Sequence, residues 1–146
     1  MSVRLVGAWQ FWALLSAVFA ALTAIFAKVG IEKVGSDYAT LFRTVVILVV
    51  LGSLVTATGQ WQSPSSLTRR TILFLVLSGL ATGASWLCYF RALKLGEAAR
   101  VAPVDKLSVV LVAVFGALFL GERLSLINAI GVGLIALGAM LVAVGI

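Results

Sequence analysis

The chain has 146 residues, of which 62% are hydrophobic and 11% are charged, and its mean hydropathy is +1.19. Soluble proteins carry about 25% charged residues, so this composition excludes an ordinary water-soluble domain. There is no histidine and one cysteine, Cys88, which excludes imidazole chemistry and an intrachain disulfide. The net charge is +6, but the basic residues are scattered among short loops. This distribution favours membrane orientation and lipid contact over nucleic-acid binding.

Five apolar segments follow one another along the chain, each close to the roughly 20 residues with which a helix crosses a bilayer. Unbroken apolar runs without period-two alternation favour helices over a membrane β-barrel. The predicted helices cover about 8–27, 39–57, 72–93, 101–120 and 126–146. The sequence therefore predicts an all-α integral membrane protein with five transmembrane helices in a single membrane domain, 1–146.

The first segment follows a basic residue, Arg4, as the core of a secretory signal would. Its apolar run is too long for a signal and four similar runs follow, so we interpret it as the first membrane helix. The fourth helix starts near Val101 or at Pro103, because proline suits a first helical position and is costly further inside. Ser125 is the expected N-cap of the fifth helix.

Several charged residues lie inside the apolar segments, all toward the side of the first and third loops. Arg43, Arg91, Asp105 and Lys106 lie about one turn or more inside, and Lys28 ends the first helix. A charge at the bilayer centre costs roughly 2.5 to 3.5 kcal/mol on insertion scales, so such groups usually mark a pathway. Shallow cations can instead extend to the headgroups, and this alternative stays open for Lys28, Arg43 and Arg91.

Asp105 and Lys106 are adjacent, and neighbouring residues of a helix point about 100° apart. We therefore expect that they do not pair with each other and that Lys28 or Arg43 is the partner of Asp105. The alternative is that Asp105 stabilises a helix N-terminus just after Pro103.

The third helix carries Trp86 and Tyr89 near these charges, where aromatic rings could line a cavity for amphipathic molecules or simply pack in the bundle. The candidate residues of a substrate pathway or charge network are Lys28, Arg43, Tyr89, Arg91, Asp105 and Lys106. No metal-site spacing and no nucleophile with a base occurs, so we expect no metal, no cofactor and no enzymatic activity.

Glycines on two helices have the spacing that lets helix backbones approach closely. They are Gly79 and Gly83 on the third helix and Gly131, Gly133 and Gly138 on the fifth. We expect a helix contact at these glycines, either within the subunit or between subunits.

A series of motifs runs from the end of the third helix into the fifth. They are Tyr89–Leu93, Ala98–Pro103, Leu107–Val110, Leu120–Ser125 and the glycine-spaced fifth helix. Together they resemble the EamA-type branch of the drug/metabolite transporter superfamily. The resemblance implies a transporter whose common form has ten helices in two inverted five-helix repeats, of which this chain looks like one. Within it, we interpret Glu122 as structural, stabilising the start of the fifth helix.

A single repeat needs a partner, because transporter sites lie where inverted repeats meet. An antiparallel homodimer and a heteromer with another half-size chain are the two solutions. The fifth helix is also similar to the dimerisation helix of small multidrug resistance exporters. Those proteins carry a glutamate in the first helix, whereas here no carboxylate precedes Glu32, so their mechanism is not transferred.

The sequence thus predicts a transporter that moves a small metabolite or amphipathic compound across the inner membrane by alternating access, as an antiparallel homodimer surrounded by lipid. The alternative is a non-transporting membrane subunit that partners another half-size transporter chain.

Overall fold

The computed structural model describes residues 9–144, and over this range the chain is helical with no β-strand. Within these residues the α-helices are α1 (Trp9–Gly30), α2 (Ser36–Ala57), α3 (Arg69–Leu95), α4 (Ala98–Asp105), α5 (Ser108–Phe115) and α6 (Leu126–Val144). A short 3-10 turn at Pro64–Ser66 precedes α3, and a π-helical segment at Gly116–Leu120 continues α5. Arg4 and the predicted helix ends at 8 and 146 lie outside the described residues.

Five segments of the described chain are long and apolar enough to cross a membrane. They are α1, α2, α3, the combined stretch Ala98–Leu120, which we call the fourth span, and α6. In hydrocarbon only helices and closed barrels satisfy their backbone hydrogen bonds, and apolar runs of this length select the helix. The predicted all-α fold with five transmembrane helices is confirmed, and the protein is a multi-pass membrane protein.

The helices extend beyond the apolar segments into polar residues. α2 begins at Ser36, earlier than predicted, and Asp37 lies in its first turn. α1 and α3 continue past their predicted ends, with Lys28 and Lys94 in their last turns. The helix dipole stabilises an acidic residue in a first turn and a basic residue in a last turn. Apolar length alone therefore underestimates these helices.

The described chain divides into two compact units, residues 9–28 with 95–144 and residues 29–94. In the first unit α4 and α5 both pack against α6. The least exposed positions of α6 include Val132, Ala136 and Ala139, which recur at helical spacing, and small residues allow close helix contact. Arg100 of α4 donates a hydrogen bond from Nη2 to the Ala143 carbonyl at 3.1 Å, one of the last carbonyls that a helix leaves without an internal donor.

The second unit contains α2 and nearly all of α3. Thr40 is buried there and its Oγ1 donates to the Ser36 carbonyl at 2.8 Å, so its polar group is satisfied. The buried residues of the whole described chain are few: Ala24, Ile31, Thr40, Phe90, Leu93, Gly116 and Ala139. Most apolar side chains of the isolated chain are thus available to lipid or to another protein.

The fourth span is interrupted after α4. Pro103 lies inside α4, which begins at Ala98, so neither predicted start of this helix is correct. After Asp105 the backbone tightens, because the N–H groups of Lys106 and Leu107 donate to carbonyls three residues back at 3.1 and 3.0 Å. Proline lacks an N–H donor and commonly bends or breaks a helix. The span is therefore two helical pieces followed by the π-helical segment.

The turn into α6 is built on two glycines. Gly121 has a φ of +67°, which L side chains rarely adopt. At Gly116 a Cβ would lie 2.8 Å from Glu122 Oε2, so this glycine makes room for the carboxylate. Glu122 thus contacts the end of the fourth span. Ser125 caps α6 as predicted, because its Oγ accepts the Asn128 N–H at 3.2 Å.

Candidate functional site

Arg91 and Asp37 form a bidentate ion pair between the end of α3 and the first turn of α2. Arg91 Nε lies 3.1 Å from Asp37 Oδ1, and Arg91 Nη2 lies 2.8 Å from Asp37 Oδ2. Ser36 Oγ also donates to Asp37 Oδ1, at 3.2 Å. Two parallel hydrogen bonds fix the relative orientation of a guanidinium and a carboxylate. Arg91 therefore has a protein partner, and Asp37 is a site residue that the sequence analysis missed.

Arg43 of α2 lies against aromatic rings of α3. Its guanidinium carbon is 4.2 Å from the ring centre of Trp86 and 5.2 Å from that of Phe90. A cation at this distance over an aromatic face is attracted by the ring quadrupole. Tyr89 also lies within electrostatic range of Arg43. Of the two aromatic residues predicted near the charges, Trp86 thus contacts the arginine, and Phe90, which the sequence analysis did not name, contacts it as well.

Arg43 makes no hydrogen bond or ion pair with any residue between 9 and 144. It is partly exposed, and no fully buried side-chain nitrogen in this range lacks a partner. Its N–H donors are therefore accessible. Positions 37 and 43 are six residues apart on α2, so Arg43 lies about 9 Å further along the helix than Asp37. Asp37 neutralises Arg91 near the start of α2, whereas Arg43 lies further along α2 and has no anionic partner in residues 9–144.

Lys28 and Lys94 each bind a backbone carbonyl in a turn. Lys28 Nζ donates to the Gly96 carbonyl at 2.7 Å, and Lys94 Nζ donates to the Val34 carbonyl at 2.6 Å. Carbonyls in turns lack the partners that a helix provides. The Lys28 contact therefore stabilises the turn between α3 and α4, a structural task for a residue predicted to lie on the pathway.

Asp105 and Lys106 pair with each other, so the prediction that they do not is wrong. Lys106 Nζ lies 3.2 Å from Asp105 Oδ2, and Asp105 makes no other ion pair within the described chain. The prediction assumed a regular helix through both residues, whereas α4 ends at Asp105 and Lys106 begins the tightened turn. The expected partners Lys28 and Arg43 are thus wrong. The N-terminal alternative is wrong too, because Asp105 is the last residue of α4.

The predicted pathway residues are divided between the two units. Residues 29–94 contain Arg43 inside α2 and Tyr89 and Arg91 near the end of α3. The other unit contains Lys28 and the Asp105–Lys106 pair as separate contacts. The sequence carried a signal for Asp37, since Ser and Asp directly before an apolar run are typical of a helix start. No local signal indicated that Arg43 would face Trp86.

The glycine motifs make no close helix contact within the described chain. A Cβ built at any of them would meet no atom within 4 Å outside its own helix backbone, which holds for Gly79, Gly83, Gly131, Gly133 and Gly138. α6 instead packs through the face that contains Val132, Ala136 and Ala139. The glycine faces are left open to lipid or to another chain.

Other features of the described residues offer less for recognition of a charged solute. No group of three or more His, Cys, Asp or Glu side chains in this range could hold a metal ion. An open groove of about 350 Å³ lies along α5, the π-helical segment and α6, lined by apolar side chains such as Val114, Leu118 and Val132. The charged side chains that could bind a solute therefore lie on α2, on α3 and at the interruption of the fourth span.

Charged side chains within a five-helix membrane fold are typical of the membrane-transporter class. The sequence model of the EamA-like transporter family matches residues 7–144, and the chain belongs to this family. A protein of Sinorhizobium sp. named "Uncharacterized transporter in cobO 3'region" is 71% identical over 136 residues, 93% of this chain and 96% of the relative. No solved structure matches the chain. These findings confirm the resemblance and point to a transporter rather than an enzyme.

Proposed function

We propose that this transporter moves a small metabolite or amphipathic compound across the inner membrane by alternating access. The observation that carries the proposal is Arg43, a partly buried arginine inside the second span with no ion-pair partner in residues 9–144. A charge at the bilayer centre costs about 2.5–3.5 kcal/mol on insertion scales, so such groups normally face a hydrated or protein-lined path. A cation kept there without an anion is suited to meet a solute.

The Arg91–Asp37 pair lies at the entrance of the proposed path. Its side chains are 61% and 58% exposed on the isolated chain. No packed side chain of the protein therefore has to move for the pair to open, and in this proposal the pair separates and re-forms as the site changes the side it faces. Tyr89 contacts the apolar part of the solute in this proposal.

The interrupted fourth span supports alternating access. A stretch of tight helix inside a longer helix often marks a hinge, and transporter sites are commonly built at discontinuous helices. The Asp105–Lys106 pair lies at the interruption. Lys106 follows the C-terminal end of α4, where the helix dipole favours a cation. We assign the pair the task of compensating charge at the hinge.

An antiparallel homodimer would supply the second five-helix repeat. The open glycine faces of α3 and α6 and the small number of buried residues support a protein partner. Basic residues at or near the ends of the spans are balanced between the two sides, which supports insertion in both orientations. They are Lys28, Lys33, Lys94 and Arg100 on one side and Arg4, Arg69, Arg70 and Arg123 on the other. A heteromer with a second half-size chain is the competing assembly.

The test is uptake and efflux of a metabolite panel in proteoliposomes, with and without a pH gradient. Arg43→Gln should lower transport of the accepted solute at least about tenfold, the low end for a lost charge-assisted hydrogen bond. Arg70→Gln is the matched control, because the Arg70 guanidinium carbon also lies over a ring of α3, 5.9 Å from the centre of Phe74. This control should keep the parent rate.

The opposing outcome is that folded, correctly inserted protein moves no solute on the panel. If the same protein forms a stable complex with a second half-size chain, the function is that of a non-transporting membrane subunit. The open helix faces support a protein partner in this second candidate as well.

A further inference from the structure

We propose that Arg43, Trp86 and Tyr89 form a binding site for an organic monoanion, a carboxylate attached to an aromatic or other apolar body. We call these three residues the Arg43 site. The inference rests on the proposed transport function and names the substrate class. It depends on the geometry of the guanidinium, on the charges around it and on the accessible ring surfaces.

The aromatic contact leaves the hydrogen-bonding edge of Arg43 open. The Arg43 guanidinium carbon lies over the Trp86 ring, 4.2 Å from the ring centre. The five N–H donors of arginine form a planar fork, and no residue between 9 and 144 accepts a hydrogen bond from them. A carboxylate approaching in the plane can accept two of them at once, as Asp37 does from Arg91. The contact with Trp86 restricts the guanidinium before the solute arrives.

The charges of the second unit select an anion. Residues 38–90 contain no Asp or Glu, and Asp37 is already held by two hydrogen bonds from Arg91. Glu32, the other carboxylate of residues 29–94, makes no ion pair with Arg43. Arg43 therefore has no anionic partner in its own unit. A carboxylate would neutralise it, whereas an organic cation would be repelled and a neutral amide would gain only weaker hydrogen bonds.

The aromatic residues provide a surface for the apolar part of the solute. Trp86 and Tyr89 are both partly exposed, while Phe90 is buried beside them. Rings that are fixed on one side and accessible on the other are suited to stack on an aromatic or aliphatic group. Few polar groups on an apolar wall are typical of small-molecule sites. Charge and ring surface together favour amphipathic anions over small inorganic ones.

The test is equilibrium dialysis of radiolabelled phenylacetate against the full chain in phosphatidylcholine nanodiscs at neutral pH, with empty nanodiscs subtracted. Phenylacetamide and phenethylamine are the neutral and cationic probes. Phenylacetate should bind saturably and at least about tenfold more tightly than phenylacetamide, and Arg43→Gln should weaken it by a similar factor. Arg43→Lys keeps the charge and should retain part of the affinity, whereas Arg70→Gln should retain all of it.

Three binding results would overturn the Arg43 site. The first is equal binding of phenylacetate and phenylacetamide, and the second is phenylacetate affinity unchanged by Arg43→Gln in correctly inserted protein. The third is loss of phenylacetate binding when phosphatidylglycerol is added, because the anion would then be a lipid headgroup. Transport of some other solute without phenylacetate binding would overturn the site alone. Phenylacetate binding without any transport would leave the site and overturn the proposed function.

Discussion

Replacement of Gly83 by isoleucine tests whether α3 is the contact between two copies of the chain. A Cβ at Gly83 meets open space in the isolated chain, so the substitution should not destabilise the monomer. Helix propensity even favours isoleucine over glycine by about 0.5 kcal/mol. In a dimer whose backbones approach at this glycine, the added side chain overpacks the contact and costs about 1–3 kcal/mol. Association should therefore weaken about 5- to 150-fold.

The assay is energy transfer between donor- and acceptor-labelled copies in vesicles, followed as the protein-to-lipid ratio is changed. Gly52→Ile is the matched control, because a Cβ at Gly52 of α2 also meets open space. Gly79→Ile, one turn before Gly83 on α3, should weaken association as Gly83→Ile does. Equal association of the Gly83 and Gly52 variants would refute the assignment of α3 to a dimer contact.

Three further predictions concern contacts inside the chain. Asp37→Asn and Arg91→Gln should each lower the melting temperature in detergent, and the double variant should lose less than the sum of the two single losses. Additive losses would contradict the pair. Ser125→Ala should lower the free energy of unfolding by about 0.5–2 kcal/mol in a denaturant titration, since the hydroxyl caps α6. Ala139→Leu should cost about 1–3 kcal/mol in the same titration, because Ala139 is only 4% exposed; no loss there would contradict close packing of α6.

Features encoded by consecutive residues were predictable from the sequence. The five membrane helices follow from apolar runs, because hydrocarbon leaves the backbone few other ways to satisfy its hydrogen bonds. The Ser125 cap follows from a hydroxyl just before an apolar run, a signal that needs no tertiary information. The helices and the cap both depend on residues that are close together in the sequence of a single helix.

Contacts between helices were not predictable in the same way. The Arg91–Asp37 pair and the stacking of Arg43 on Trp86 depend on the rotation and depth of α2 relative to α3. Apolar segments that are hydrophobic on all sides specify neither quantity.

The fourth span shows a different kind of error. Pro103 was a valid signal of irregular helix, but it was interpreted as a start when it lies inside α4. The pairing of Asp105 with Lys106 was missed for this reason, because it depends on the interruption that follows the proline.

That interruption also makes the fourth span observable by hydrogen exchange. Hydrogen bonds to carbonyls three residues back have poorer geometry than those of an α-helix, and weakly held amides are the first to open in local fluctuations. Deuterium should therefore replace the amide hydrogens near Leu107 sooner than those in the middle of α5. Mass spectrometry of peptides from this stretch would then report the flexing of one helix during turnover in native lipid.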